Sequence, residues 1–261
     1  MKPLTFIWIL AGILLTPKLF GQGEIAAEDR IFFRNERTFS GNLYSNGWSA
    51  NFRYAFRQDA ASSFILDADF ATLKHPKEVQ SQSIYLAGWG RRFVFGKLNE
   101  VGLVRAGAGY QKELFRKFDQ GGISLRYFGS AGLTLGMLKP IYYYQVLGFN
   151  PLTNQPVVNE GSLFDPDYMQ STWDIYDKRS FFIGLGETTF NPGVFARIGL
   201  CFEYSNEDQQ VRALEGGVQM EGFLRKMPIL ASTENNRFFI SLYAGYRFGR
   251  VVDARFKPSP L

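Results

Sequence analysis

Residues 48–57, WSANFRYAFR, alternate with a period of two between an aromatic and apolar face and a small, polar or basic face. The first face carries Trp48, Ala50, Phe52, Tyr54 and Phe56, and the second carries Ser49, Asn51, Arg53, Ala55 and Arg57. Because side chains of a β-strand point alternately to opposite sides, a period of two indicates a strand. These ten positions predict a strand with two chemically opposite faces.

The same alternation returns along most of the chain, and no heptad or 3.6-residue stripe follows residue 21. The mean hydropathy of −0.13 excludes a bundle of membrane helices, and one cysteine excludes a disulfide framework or a cysteine zinc cluster. The chain is therefore predicted to be all-β. Charged residues recur on the less apolar faces of the predicted strands, at Arg53, Arg57, Asp67, Asp69, Arg105, Arg126, Arg197, Glu203, Glu215, Glu221 and Arg247.

Alternating strands occur in secreted sandwiches and in membrane barrels, so the chemistry of the two faces has to distinguish them. A membrane barrel turns its apolar face to lipid and its polar face to the lumen. Here the apolar faces carry aromatic residues near strand ends, and the other faces mix glycine with both signs of charge. This pattern favours a closed antiparallel up-and-down transmembrane β-barrel over a sandwich.

Eight strands satisfy the parity of such a barrel, with both termini at one end. We predict them near residues 37–45, 47–57, 62–73, 93–110, 121–147, 181–204, 210–225 and 237–249. The long segment 121–147 leaves ten strands as the alternative, with an extra hairpin at residues 129–132. The predicted connections are short at the inner end (58–61, 111–120 and 205–209), and mostly long at the outer end (46, 74–92, 148–180 and 226–236).

The N-terminus has the pattern of a secretory signal peptide. Lys2 precedes an apolar run over residues 4–15, which ends at Pro17 and Lys18. We expect a signal peptide at 1–21, a periplasmic segment at 22–36, the barrel at 37–249 and a periplasmic tail at 250–261. Basic and acidic residues are interspersed without a basic stripe, which argues against nucleic acid as a partner.

The end of the last predicted strand reads YAGYRFG over residues 243–249. Tyr243, Gly245, Tyr246 and Phe248 are similar to the closing-strand signal that the outer-membrane assembly machinery recognises. Together with the sequence FGQ at residues 20–22, the chain resembles small, porin-like outer-membrane β-barrels of the Bacteroidetes type. The resemblance implies a location in the bacterial outer membrane, among its lipids, and use of the barrel assembly machinery; it implies no catalytic activity.

Candidate chemistry in the loops is sparse. His75 is the only histidine, and with Glu78 and Ser81 or Ser83 it could serve a lipid hydrolase or acyltransferase. A polar loop contains such residues for ordinary reasons, so we predict no catalytic residue. The same reasoning applies to a cation site formed by loop aspartates, and no metal or cofactor is predicted. Those aspartates are Asp165, Asp167, Asp174 and Asp177.

The lumenal charges have two interpretations, a selective passage or a paired plug. Eight strands enclose little more than their own side chains, which favours the plug. Aromatic residues in loop 148–180 suggest a packed cap or a surface for an envelope protein, and Tyr142, Tyr143 and Tyr144 are expected at the membrane rim. We therefore expect a non-enzymatic scaffold or accessory subunit of an envelope or secretion assembly. The alternatives are a narrow channel or ligand transporter, and the lipid enzyme.

Overall fold

The fold is a single closed barrel of eight antiparallel strands. The computed structural model describes residues 34–86, 90–117, 122–207, 209–231 and 235–253. The barrel strands are β1 (Arg34–Tyr44), β2 (Gly47–Arg57), β3 (Ser62–Leu73), β4 (Asn99–Phe115), β5 (Ser124–Pro140), β6 (Thr189–Glu203), β7 (Gln210–Phe223) and β8 (Phe238–Asp253). Each strand pairs with its neighbours in sequence, and β8 pairs with β1 to close the barrel. The predicted up-and-down barrel is confirmed.

The ten-strand alternative is wrong, because residues 129–132 lie inside an uninterrupted ladder. Gly129 pairs with Tyr110 on β4 and with Ile198 on β6. The predicted strand 121–147 instead divides at Pro140, which has no backbone N–H for further pairing. The backbone N–H of Ile141 donates to the Leu98 carbonyl at 3.0 Å. From there the strand Tyr142–Phe149 continues outside the barrel.

Other strand bounds differ by several residues from those predicted. β4 begins at Asn99 rather than near 93 and continues to Phe115, and β6 begins at Thr189 rather than near 181. The barrel strands begin at Arg34 and end at Asp253, so they include parts of the expected segment 22–36 and of the expected tail 250–261. The expected signal peptide at 1–21 and residues 254–261 lie outside the described residues.

The two ends of the barrel have very different connections. At the inner end, where β1 begins, the connections are 58–61, 116–123 and 204–209. The first of these turns is held by Asp59, whose carboxylate accepts hydrogen bonds from the Ser62 hydroxyl and the Ala61 and Ser62 backbone N–H groups. These bonds lower the pKa of Asp59 to about 2. At the outer end the connections are 45–46, 74–98, 141–188 and 224–237.

The outward face of the barrel is apolar over the middle of its height. Side chains that are at least two-fifths exposed there include Phe39, Leu66, Val104, Leu133, Ile198, Leu214, Ile240 and Phe248. Outward-facing charges near the inner ends of the described strands are Arg37, Lys112, Arg212 and Arg250. In water such a surface would be unfavourable, whereas a lipid bilayer matches it. No helix among the described residues is long and apolar enough to cross a membrane.

The long outer connections fold into a cap, which we call the outer cap (residues 74–86, 90–98 and 141–188). The strand Tyr142–Phe149 pairs with Pro156–Val158, Ser162–Leu163 and Ile175–Lys178, and Gln80–Ser81 pairs with Phe93–Val94. Short 3₁₀ helices lie at Thr172–Asp174 and Leu185–Glu187. The buried core of the cap consists of Phe93, Ile141, Tyr143, Phe164, Met169 and Ile175.

Candidate functional site: the lumen and its outer mouth

The middle of the lumen holds a network of four arginines and four carboxylates, which we call the central network. Its members are Arg53, Arg105, Arg197, Arg247, Asp67, Asp69, Glu215 and Glu221. All eight are buried, and positive and negative charges are equal in number. They come from strands β2, β3, β4, β6, β7 and β8, so the network ties together most of the barrel wall.

Arg53 and Arg247 share one carboxylate in this network. Arg53 donates from Nε to Asp67 at 2.8 Å and from Nη1 to Glu215 at 3.1 Å. Arg247 donates from Nε to the same Glu215 oxygen at 2.7 Å, and the Tyr243 hydroxyl donates to the other oxygen at 3.2 Å. Each guanidinium thus has hydrogen-bonded anionic partners, which is what makes a buried charge tolerable.

Asp69 has the corresponding role for the other two arginines. Its two oxygens accept from Arg105 Nη1 at 2.8 Å and from Arg197 Nη2 at 3.0 Å. Arg105 Nε also binds Glu221, and Arg197 Nε donates to Gln219 at 2.7 Å. The neutral residues between the ion pairs continue the same hydrogen-bonded layer. Most donors and acceptors of this layer are paired within the barrel, although Arg197 Nη1 has no partner among the described residues.

Aromatic rings and glycines on facing strands fill the remaining space in the lumen. The Arg53 guanidinium carbon lies 4.2 Å from the centre of the Phe128 ring. Phe128 pairs with Gly199 across β5 and β6, and a Cβ built on Gly199 would lie 2.8 Å from the Phe128 ring. Phe195 covers Gly107 in the same way, also at 2.8 Å. The absence of a side chain at these glycines is what makes room for the rings.

A second ion-pair layer lies at the inner end. Arg126 donates from Nη1 to both oxygens of Glu36 at 2.9 Å and also pairs with Glu203. Lys117 binds the other Glu203 oxygen at 3.0 Å. Arg57, the one predicted lumenal charge that is only half-buried, lies 3.5 Å from Glu113. The other ten predicted charges are buried.

The outer part of the lumen is closed by an apolar layer that the sequence analysis missed. In the connection between β7 and β8, described residues 227–230 fold inwards, so that Met227, Ile229 and Leu230 are buried against the barrel wall. The other members of this apolar plug are Ala71, Leu73, Val101, Leu103, Leu138, Phe223 and Phe239. Backbone bonds from Leu98 N to Ile229 O at 2.9 Å and from Ala231 N to Gly96 O at 2.8 Å fix the segment. The apolar run Met-Pro-Ile-Leu at 227–230, in an otherwise polar loop, was the available signal.

Most charges at the outer mouth are lysines, although Arg92 also lines the polar cavity there. We define the outer mouth as Lys74, Lys97, Lys139, Lys178, Glu78 and Glu100. Lys97 pairs with Glu78 at 2.8 Å, and Lys178 pairs with Glu100. Positive charges therefore exceed negative ones by two in this group, unlike in the central network.

Most of the loop residues considered for catalysis or metal binding have structural partners. His75 Nδ1 accepts from the Lys77 backbone at 3.1 Å, and Glu78 binds the His75 backbone N–H and Lys97. No hydrogen bond links the His75 ring to Ser81 or Ser83 within the described residues. Among the loop aspartates, Asp165 caps the Asp167 N–H. Asp174 accepts from the backbone of Gln170 and Ser171, and Asp177 from that of Arg91 and Lys178. In the part of the chain that the structure describes, no three potential ligands cluster around a metal position.

The predicted closing-strand residues occupy both faces of β8. Tyr243 is buried in the lumen, with Gly245 on the same inward face, whereas Tyr246 and Phe248 face outwards. The three tyrosines expected at the rim are placed differently from each other. Tyr143 is fully buried in the cap core rather than at the rim, which corrects that expectation. Burial is tolerated because its hydroxyl donates to the Lys97 carbonyl at 2.9 Å. Tyr142 instead binds Glu187, and Tyr144 lies against Arg179.

A closed antiparallel barrel with an apolar exterior and a charged, filled interior belongs to the class of transmembrane β-barrels. No family model matches the chain, and no curated protein matches its sequence.

Among solved structures, the chain is similar to the N-terminal β-barrel domain of Pseudomonas aeruginosa OprF, with 10% identity, coverage of 84% of this chain and 98% of that one, and a TM-score of 0.37. It is also similar to Ail, the attachment invasion locus protein of Yersinia pestis, crystallised with the heparin analogue sucrose octasulfate (7% identity, 83% and 96% coverage, TM-score 0.37). A third similar structure is Neisserial surface protein A (11% identity, 82% and 94% coverage, TM-score 0.36).

Proposed function

We propose that this protein is an integral β-barrel of the bacterial outer membrane that does not conduct solutes and acts as a scaffold or accessory subunit of an envelope assembly. The observation that carries the proposal is the filled lumen. The inner ion pairs, the central network and the apolar plug lie in series along it. A narrow passage would need an open polar path through all three layers.

Membrane integration is supported by the apolar outward face and by strands of 11–17 residues. About 9–11 residues suffice for a tilted strand to cross a bilayer. We further propose that residues 1–21 are a signal peptide, that the long connections face the cell exterior, and that Tyr243, Gly245, Tyr246 and Phe248 form the assembly signal. A porin-like family of the Bacteroidetes type remains the proposed relationship.

Conductance in planar bilayers tests the closed lumen directly. We expect the purified barrel to give no current steps above the background of protein-free bilayers. Regular single-channel steps from the unmodified protein would contradict the proposal and favour the channel alternative. A variant with the apolar plug weakened, Met227→Ser with Ile229→Ser, should also remain closed, because the central network persists beneath it.

The outer cap is the surface proposed to meet an envelope protein. Several large apolar side chains are exposed on it, including Leu152, Tyr168 and Trp173 at 93%, 71% and 63%. Single exposed apolar residues are ordinary, and the support for an interaction surface is that several very exposed ones occur on one folded cap. The core of the cap lies beneath them, so their substitution should leave the cap folded.

Co-purification in mild detergent tests this surface. We expect the wild-type barrel to retain a stoichiometric envelope protein, and the variant Leu152→Ser with Tyr168→Ser to lose it. Lys226→Met, in the neighbouring outer connection 224–237, is the matched control and should retain the partner. Purification of the wild-type barrel alone after cross-linking in intact cells would refute the scaffold role.

A further inference from the structure

A crevice of about 370 Å³ opens on the outward face of the barrel, at its outer end. Its walls include Trp48 on β2, Phe70 on β3, Met137 on β5, and Phe181 and Leu185 from the outer cap. Trp48 and Phe70 are 46% and 44% exposed, so they belong to the lipid-facing surface rather than to the lumen. We call this feature the rim crevice.

Gly102 on β4 contributes to the wall of the rim crevice. A Cβ at this position would lie 3.2 Å from the Met137 methyl group and 3.9 Å from the Phe70 ring. A longer side chain at Gly102 would therefore occupy the crevice. Its backbone φ is not among the positive values, so the position does not need glycine for its conformation.

The upper edge of the rim crevice is basic. Lys74, Lys97, Lys139 and Glu100 all line it. Lys97 pairs with Glu78, and Lys178 pairs with Glu100. Neither Lys74 nor Lys139 forms a salt bridge with a described carboxylate. Two positive charges are thus left for an anion from outside the protein.

Lys139 gives the clearest indication of such an anion. Its side chain is directed outwards yet the residue is only 6% exposed, and Nζ donates to the Pro140 carbonyl at 3.1 Å and lies 4.9 Å from the Phe181 ring centre. Shielding an ammonium group from water costs free energy unless an anion and hydrogen-bond acceptors compensate. One carbonyl leaves two of its three N–H donors to be satisfied.

Above the rim crevice a polar cavity of about 430 Å³ shares Lys74, Lys97 and Glu100 with it. The apolar part lies along the barrel wall, and the basic part lies towards the outer cap. This order matches a molecule with a hydrocarbon chain and an anionic head, oriented as in a bilayer leaflet. Phosphate is a suitable anionic head for two lysines, because ammonium groups bind it as point charges.

We propose that the rim crevice binds one acyl chain of a phosphorylated lipid of the surrounding leaflet, whose phosphate contacts Lys74 and Lys139. This inference rests on the membrane integration proposed above. The occupant is a lipid rather than a soluble phosphate because the walls below the basic edge are mostly apolar and belong to the lipid-facing surface.

Trp48 provides a local reporter, since bromine atoms on a lipid chain quench a nearby tryptophan. The full barrel is reconstituted in phosphatidylcholine vesicles that contain a small fraction of brominated phosphatidic acid or, in parallel, of brominated phosphatidylcholine. A Trp48→Phe variant supplies the emission of the other tryptophans for subtraction. We expect phosphatidic acid to be preferred about tenfold at Trp48, the ratio that one charge-assisted contact supplies.

Lys139→Met and Lys74→Met should each reduce this preference severalfold, and Gly102→Leu should reduce quenching by bound phosphatidic acid to the level of bulk lipid. Lys226→Met and Gly41→Leu are matched controls and should behave as wild type, because Gly41 faces outwards with no atom within 4 Å of a built Cβ. Equal quenching by both lipids in the wild type, or a preference that survives both lysine variants, would overturn the lipid site. If neither lipid quenches Trp48, the membrane placement itself is wrong.

Discussion

The central network and the outer mouth differ in the balance and the burial of their charges. In the central network four arginines meet four carboxylates, and all are buried. In the outer mouth four lysines meet two glutamates, and the side chains of one pair, Lys178 and Glu100, are 20% and 27% exposed. One region is balanced and closed, and the other is unbalanced and partly open.

The choice of residue follows from this difference. A guanidinium is a planar fork that can bind two carboxylates in a fixed geometry, as Arg53 does with Asp67 and Glu215. An ammonium is a compact charge on a flexible stem, which can exchange one partner for another. Arginine therefore suits a permanent plug, and lysine suits a site whose anion comes from outside.

The largest effect is expected from removing a shared carboxylate of the central network. Glu215→Gln leaves Arg53 and Arg247 without the anion they both bind, while the size of the side chain is kept. Breaking a buried ion pair in this way costs about 3–5 kcal/mol of unfolding free energy. Urea titration of the barrel in lipid vesicles measures the loss.

Glu207→Gln is the matched control, because Glu207 is exposed in the inner connection 204–209 and binds only Gln210 among the described residues. Its effect should stay within about 0.5 kcal/mol. A loss equally small for Glu215→Gln would mean that the central network is hydrated and does not close the lumen.

Replacing an arginine of the central network by lysine should cause the next largest loss of unfolding free energy. Arg53→Lys keeps the charge, but one ammonium cannot hold Asp67 and Glu215 in their present geometry or cover the Phe128 ring. We expect a loss of about 1.5–3 kcal/mol, as for a hydrogen bond to a charged group. The reverse exchange at the outer mouth, Lys97→Arg, should be nearly neutral. Similar losses in both variants would remove the distinction between the two regions.

Much of the barrel could be predicted from the sequence because alternation is a local property. The faces of residues 48–57 and the inward direction of the charges follow from the period of two alone. The partners with which the buried charges pair do not follow from this period. That Asp69 binds Arg105 and Arg197 depends on the tilt and register of strands far apart in sequence, which no short stretch encodes.

Alternation carries no information about residues that leave the regular strands or that pack against the pattern. Met227, Ile229 and Leu230 lie in a connection that was treated as an outer loop, and only the closed barrel makes the lumen available to them. Phe128 was not expected as a lumen filler, because aromatic residues were assigned mainly to lipid; Phe195 shares the face of Arg197, but no filling role was predicted for it. Gly199 and Gly107 opposite them make this inward packing possible.

A third prediction concerns these glycines. Gly199→Ala places a methyl group 2.8 Å from both the Phe128 ring and the Gly216 carbonyl oxygen, so strands or ring must shift. Overpacking of this kind costs about 1–3 kcal/mol. Gly129→Ala is the matched control on the outward face, where the nearest atom lies 3.8 Å away.

The Gly129→Ala variant should be neutral or gain up to about 1 kcal/mol, since alanine loses less backbone entropy than glycine in a strand. The same urea titration compares the two variants. Equal effects would show that the packing of Phe128 does not depend on Gly199 and that the lumen has spare room.

The smallest effect is expected at the outer mouth. Lys178→Met removes the partner of Glu100, but water reaches both side chains, and pairs of this kind contribute only about 0.2–1 kcal/mol. Added salt should abolish even this loss, because the Debye length falls to about 3 Å at 1 M. The loss caused by Glu215→Gln should persist in 1 M salt, since ions do not enter a filled lumen. Urea titrations of both variants at low and high salt therefore measure how far solvent penetrates, and a salt-sensitive Glu215→Gln would place the open part of the lumen deeper than the mouth.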